Sequence, residues 1–180
     1  DKKNLTIKEI FALAVQNHKE NNFIVAEKFY REVLDVDPDH FGSIFLLGTL
    51  SIQIKKLDSA KELLQKAIQI RPDHAEAHYN LGLVFKELGE VTNAIHSNKK
   101  AIKINSDYTE AHSNLGTLYQ GLGDFKQAII CYENAIKINP DYGDAYNNLG
   151  ALFQKLRDFK KAIDYYEKTI QIEPKHANAY

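Results

Sequence analysis

Residues 109–142 read TEAHSNLGTLYQGLGDFKQAIICYENAIKINPDY, and this stretch decides the fold. In its first half Ala111, Leu115, Leu118, Tyr119 and Leu122 fall at offsets that place them on one face of a helix. Gly121 and Gly123 stand where that helix stops, because glycine accepts the left-handed conformation of a helix end. Phe125, Ala128, Ile129, Tyr132, Ala135, Ile136 and Ile138 then mark a second helix. Pro140 ends it, since proline lacks an N–H and disfavours helix in the residue before it. The stretch predicts two helices joined by a tight turn.

The same pattern recurs every 34 residues along the chain. Ala26, Ala60, Ala94, Ala128 and Ala162 keep that spacing, as do Leu13, Leu47, Leu81, Leu115 and Leu149. Pro38, Pro72, Pro140 and Pro174 follow it, with Ser106 in the remaining place. A sustained period of this length means stacked supersecondary units. The expected fold class is all-α, a solenoid of five helix–turn–helix units forming a single array over 1–180. The units are 7–40, 41–74, 75–108, 109–142 and 143–176, and residues 177–180 begin a sixth. Gly48, Gly82, Gly116 and Gly150, with Ala14 in the first unit, recur at one helical register. Glycine inside a helix costs about 1 kcal/mol relative to alanine. Its recurrence therefore predicts a close helix crossing there. Phe23, Leu57, Val91, Phe125 and Phe159 are expected to seal the turns.

Charge nearly cancels, with 23 Lys+Arg against 24 Asp+Glu, which gives no electrostatic reason to expect nucleic acid or an anionic membrane. No run approaches the roughly 18 apolar residues of a membrane span. Cys131 is alone, so an internal disulfide and a zinc finger are excluded, and a reducing, cytosol-like compartment fits. The chain begins at Asp1 rather than Met and stops four residues into a unit, so it reads as a piece of a longer protein.

The order Leu-Gly, aromatic, Ala, aromatic, Ala, Pro resembles the tetratricopeptide repeat, carried in the fourth unit by Leu115, Gly116, Tyr119, Ala128, Tyr132, Ala135 and Pro140. The resemblance covers 7–176. Individual units depart from the pattern, for example with Asn17 and Ser51 for the first aromatic, and Leu64 and Asn98 for the second. The resemblance implies a right-handed superhelix whose first helices line a concave groove and whose second helices form the back. It implies a groove that takes a peptide segment of another protein, and no catalytic chemistry or cofactor.

By the same resemblance the groove is lined by the second, fifth, sixth, ninth, twelfth and thirteenth residues of each unit. The sixth residues of the last three units are Asn80, Asn114 and Asn148. An amide offers both donor and acceptor, so a ladder of them can hold a peptide backbone whatever its side chains. The alternative is that these amides are merely solvated. This Asn-Leu-Gly pattern is similar to the arm of the O-linked N-acetylglucosamine transferase. The array could thus be the substrate-docking arm of a transferase whose catalytic domain lies outside this chain. Phe11, Phe45 and Tyr79 at fifth positions, enlarged by Val15 and Ile52, suggest an apolar pocket near the N-terminus, or else packing between neighbouring first helices. Lys86, Thr117, Gln120 and Gln154 complete the expected groove residues. The clamp that some family members use for C-terminal carboxylates needs Lys at the fifth and Asn at the ninth position, and no unit here has either.

The seven histidines do not suggest metal. His74 and His78 are four apart, but a turn separates them and no carboxylate or cysteine completes a site. His40, His74 and His176 end their units at one register. Cys131 has no cation at helix-neighbour spacing and is expected to be inert. The last unit is expected to expose a stacking face that includes Tyr165 and Ile172, which would permit end-to-end self-association.

Overall fold

The computed structural model describes residues 5–172. Among these it contains α1 (Ile7–Lys19), α2 (Phe23–Val36), α3 (Phe41–Gln53), α4 (Leu57–Ile70), α5 (Ala75–Glu87), α6 (Val91–Ile104), α7 (Thr109–Gly121), α8 (Phe125–Ile138), α9 (Gly143–Lys155) and α10 (Phe159–Ile172). No strand occurs among the described residues. The fold is all-α and built of helix–turn–helix repeats. Two compact units, 1–97 and 98–180, divide within α6.

Every hairpin turn has one residue in the left-handed region, at the same place in each repeat. These are Asn21, Lys55, Gly89, Gly123 and Arg157, with φ between 59° and 79°. The residue after each donates its N–H back over the turn, as Asp124 N does to Tyr119 O at 2.9 Å and Asp158 N to Phe153 O at 3.0 Å. This bond closes the helix end around the left-handed residue. Gly121, expected to share that role, is instead the last helical residue of α7, and only Gly123 has positive φ.

A left-handed non-glycine residue carries a penalty of roughly 1–2 kcal/mol. Glycine's greater freedom in the unfolded chain takes back about 0.4–1 kcal/mol. Arg157→Gly should therefore raise stability by about 0.5–1 kcal/mol. A thermal melt checks this, and an unchanged or lower midpoint would show that the Arg157 side chain supports the turn.

In the 1–97 unit Ala14, Ala26, Tyr30, Leu47 and Leu50 form a buried core, with Phe11, Val15, Phe23 and Phe29 packed against it. In the 98–180 unit the core is Ala128, Tyr132, Ala135, Ala145, Leu149, Leu152, Phe153 and Ala162. The small residues mark the helix crossings. A Cβ placed on Gly116 would lie 2.7 Å from the Tyr132 ring, one on Gly150 2.7 Å from the Tyr166 ring, and one on Gly48 3.1 Å from Leu64. Glycine is retained there against its helix propensity because a second-helix side chain lies across it.

Two expectations about the last repeat need correction. Tyr165 is half-buried, stacked on Phe153 with centroids 5.5 Å apart, and Ile172 is also half-buried. The exposed apolar side chains of α10 are instead Phe159, Ile163 and Ile170. Phe159 does not seal its turn as Phe125 does. Lys155, ending the next first helix, lies 5.0 Å over the Phe125 ring, whereas no described helix follows α10. The start of a sixth repeat and His176 lie outside the described residues.

Candidate functional site

The expected groove residues sit on the first helices of the repeats, in varied surroundings. In the 1–97 unit, Phe11 is half-buried, with its ring 4.8 Å from that of His40 and 6.2 Å from that of Tyr30. Beside it a cavity of about 540 Å³ is lined by Lys8, Phe11, Ala12, Val15, Gln16, Lys19 and Glu20. Phe45 is buried, lying parallel to Phe41 at 5.9 Å and against His74 at 4.8 Å. Tyr79 and Lys86 are half-buried. Phe11 and Phe45 thus belong partly to the packing between repeats, and the open apolar surface is the Phe11–Val15 face of α1.

The three asparagines do not share one environment. Asn80, only 7% exposed, donates from Nδ2 to Thr49 Oγ1 at 3.3 Å, and Thr49 in turn donates to Phe45 O. In the 98–180 unit, Asn114 is equally buried and donates from Nδ2 to Asn98 Oδ1 at 3.2 Å, while Asn148 is half-buried. An amide carries two N–H donors and a carbonyl oxygen, so one such bond does not exhaust Asn80.

Two twelfth-position residues, Gln120 and Gln154, are held by tyrosines from the second helices. Tyr132 donates its hydroxyl to Gln120 Oε1 at 2.9 Å, with Thr117 Oγ1 also near at 3.3 Å. Thr117 donates to Ser113 O at 3.3 Å. Tyr166 donates to Gln154 Oε1 at 3.0 Å. Sequence reasoning placed the glutamines in the groove but missed their tyrosine partners. The clue was available, since each tyrosine follows its glutamine by 12 residues.

Four of the histidines support the turns between repeats. His40 and His74 precede α3 and α5, and Nδ1 of each accepts a backbone N–H, from Ser43 and Ala77 respectively, both at 3.1 Å. This is the helix-capping role usually filled by Ser, Thr, Asp or Asn. His78 and His112 place Nε2 2.9 Å from Pro72 O and 3.0 Å from Ser106 O. Lys66 fills the corresponding place at the first joint, bonding Pro38 O at 2.6 Å and Asp39 at 3.0 Å. No group of three or more His, Cys, Asp or Glu able to hold a metal occurs among the described residues. Cys131 is buried, and burial pushes its thiol up to about 11, far from reactive at neutral pH. No helix among the described residues is long and apolar enough to cross a membrane.

A family model described as a tetratricopeptide repeat matches residues 107–175, and one described as a TPR repeat matches 48–89 and 84–123. No curated protein matches the chain. Among solved structures, MamA superposes with a TM-score of 0.82 at 29% identity, over 92% of this chain and 97% of that one. A MamA segment, residues 41 to the end, from Desulfovibrio magneticus RS-1 gives 0.84 at 17% identity, over 93% and 95%. YrrB, described as a TPR protein with an unusual peptide-binding site, gives 0.75 at 22% identity, over 96% and 89%. At the two lower identities the likeness shows the fold alone. With the hairpin repeat, the glycine crossings and the matches spanning 48–175, the chain belongs to the tetratricopeptide-repeat family, whose fold serves as a protein-interaction scaffold.

Proposed function

We propose that this chain binds an extended peptide segment of another protein along the first helices of its repeats. The observation that carries this reading is the apolar cavity on α1. Its lining includes Lys8, Phe11, Ala12, Val15 and Lys19, the second, fifth, sixth, ninth and thirteenth residues of the first repeat. These are the positions that the family resemblance assigns to the groove. Phe11, with Phe45 and Tyr79 on the following repeats, takes apolar side chains. Asn80, Asn114 and Asn148 bond the peptide main chain, and Lys86, Thr117, Gln120 and Gln154 add polar contacts. The peptide-binding site of YrrB, a protein of the same fold, agrees with a peptide ligand here without assigning the residues that hold it.

The test is a random dodecapeptide library panned on the chain and on the Asn80→Ala/Asn114→Ala/Asn148→Ala variant. Recovery should fall about tenfold or more in a variant that still melts cooperatively, since a tenfold change needs only about 1.4 kcal/mol. Equal recovery on both proteins would remove the asparagines from the site.

A second reading concerns a second copy of the chain. It is favoured by Phe159, which is 60% exposed, and by Ile163 and Ile170 beside it on α10. Sedimentation that depends on concentration, and is abolished by Phe159→Glu, would support it. A strictly monomeric chain would end it.

A further inference from the structure

The second-helix residue that crosses each first helix is Tyr30, Leu64, Asn98, Tyr132 or Tyr166, one per repeat. Where it is tyrosine, its hydroxyl passes the helix crossing and meets a polar residue on the far side. In the 98–180 unit the acceptors are Gln120 Oε1 at 2.9 Å and Gln154 Oε1 at 3.0 Å. In the 1–97 unit the hydroxyl of Tyr30 lies 3.2 Å from His18 Nδ1, and His18 Nε2 lies 3.0 Å from Gln53 Oε1. A carbonyl oxygen can only accept, so in the neutral ring His18 Nε2 carries the hydrogen and Nδ1 accepts from Tyr30. Tyr30 therefore acts on Gln53 through one relay, as Tyr132 and Tyr166 act directly on their glutamines. Where the crossing residue is Leu64, the twelfth residue of that repeat is Ile52, and no polar pair is needed.

The outcome is the same three times. The oxygen of Gln53, Gln120 and Gln154 is bonded to the protein, and the amide nitrogen with its two N–H groups is turned the other way. Gln53 and Gln154 are exposed and Gln120 is half-buried. Gln53 occupies a thirteenth position, and the other two occupy twelfth positions, all assigned to the groove by the family resemblance. Burial pushes the Tyr30 phenol up to about 12 and raises that of Tyr132, so these hydroxyls stay protonated and keep donating at neutral pH.

We propose that Tyr30 in the 1–97 unit, and Tyr132 and Tyr166 in the 98–180 unit, are positioning residues that fix Gln53, Gln120 and Gln154 as hydrogen-bond donors, so that the first-helix surface of each unit reads main-chain carbonyl oxygens of an extended peptide. This rests on the peptide-groove reading above. The donors are neutral, which suits carbonyls supplied by any sequence better than carboxylates supplied by a few.

Two measurements on the full chain separate this proposal from the reading beneath it. In the first, side-chain carbon NMR is compared between wild type and Tyr132→Phe or Tyr166→Phe, which keep the aromatic ring. Loss of the Tyr132 hydroxyl should shift the Gln120 Cδ resonance upfield and leave that of Gln154 in place, and the Tyr166 variant should do the reverse. Movement of the Nε2 protons with Cδ unchanged would mean flipped amides and would overturn the proposal.

In the second, peptides from the random dodecapeptide library enriched on wild type are re-panned on two double variants. Gln120→Glu/Gln154→Glu still accepts from the tyrosines but cannot donate to a carbonyl, so recovery should fall about tenfold, two modest hydrogen bonds' worth. Tyr132→Phe/Tyr166→Phe keeps the donors but frees them, so recovery should fall about threefold to fivefold. Undiminished recovery on the glutamate variant would refute the donor role. Failure of wild type to enrich any peptide would sink the groove reading and the recognition half together. The Cδ shifts alone would then decide the orientation.

Discussion

Tyr132→Ala should destabilise the 98–180 unit by about 3–5 kcal/mol, the usual loss when a large buried aromatic is cut to a methyl group. The Tyr132 ring is 1% exposed and lies among Ala128, Ala135, Ala145 and Leu149. Directly across from it is Gly116, which has no side chain to move into the space. The neighbouring alanines cannot lengthen either, so the cavity should stay open rather than collapse. The hydroxyl contacts to Gln120 and Thr117 go as well. Tyr132→Phe, which removes only the hydroxyl, should cost about 1 kcal/mol. Urea denaturation of the three proteins measures both losses. A Tyr132→Ala loss close to that of Tyr132→Phe would mean that α7 and α8 close over the gap, contrary to a rigid crossing. A domain is held by only about 5–15 kcal/mol in total. A truncation of this size is therefore expected to leave a visible unfolded population at 37 °C.

How much of this was legible in the sequence follows from what a repeat does to its signals. A helical pattern read once is ambiguous, but one read five times at a fixed spacing is not, because accidents do not recur in register. Hence α3, α5, α7 and α9 begin at 41, 75, 109 and 143, where the period alone places a new unit. The crossing glycines were legible for the same reason. Their helix propensity is poor, so only packing explains their place at one register.

What was not legible lay where repeats differ or where two distant residues meet. The left-handed turn residue is glycine in only two repeats, Gly89 and Gly123, so its shared role at Asn21, Lys55 and Arg157 was hidden by side-chain identity. His40 and His74 looked like spare turn residues, because histidine is not among the usual caps. The asparagines at sixth positions were visible as a ladder, but the side-chain hydrogen bonds of Asn80 and Asn114 reach residues 31 and 16 positions away in the chain. Periodicity along one helix carries no information on such contacts. The exposure of Phe159 was missed because the pattern treats every repeat alike, while among the described residues no helix follows α10.

Gly116→Leu should destabilise by about 3 kcal/mol, the upper end for overpacking a close-packed interior, whereas Gly121→Ala should stabilise by about 1 kcal/mol, the helix-propensity difference. Both glycines are in α7, five residues apart, and helix propensity favours replacing either. Their surroundings decide the sign. A Cβ on Gly116 would stand 2.7 Å from one Tyr132 ring carbon and 2.8 Å from the next, closer than carbon atoms can approach. The ring is buried and cannot swing aside, so α7 and α8 must separate. A Cβ on Gly121 meets nothing within 4 Å, and its backbone is helical rather than left-handed. The clash also predicts its own cure. Gly48 faces Leu64 instead of tyrosine, and a Cβ there would sit at 3.1 Å, a distance that a flexible leucine can relax. Gly116→Ala alone should lose stability, since the ring contact outweighs the propensity gain. Gly116→Ala in a Tyr132→Leu background should be neutral or better, because the smaller, jointed side chain can give way. Thermal melts of the four proteins in this cycle read the coupling directly. If Gly116→Ala costs the same in both backgrounds, the glycine at the crossing is not there for the ring, and the packing account of the recurring Leu-Gly pair fails.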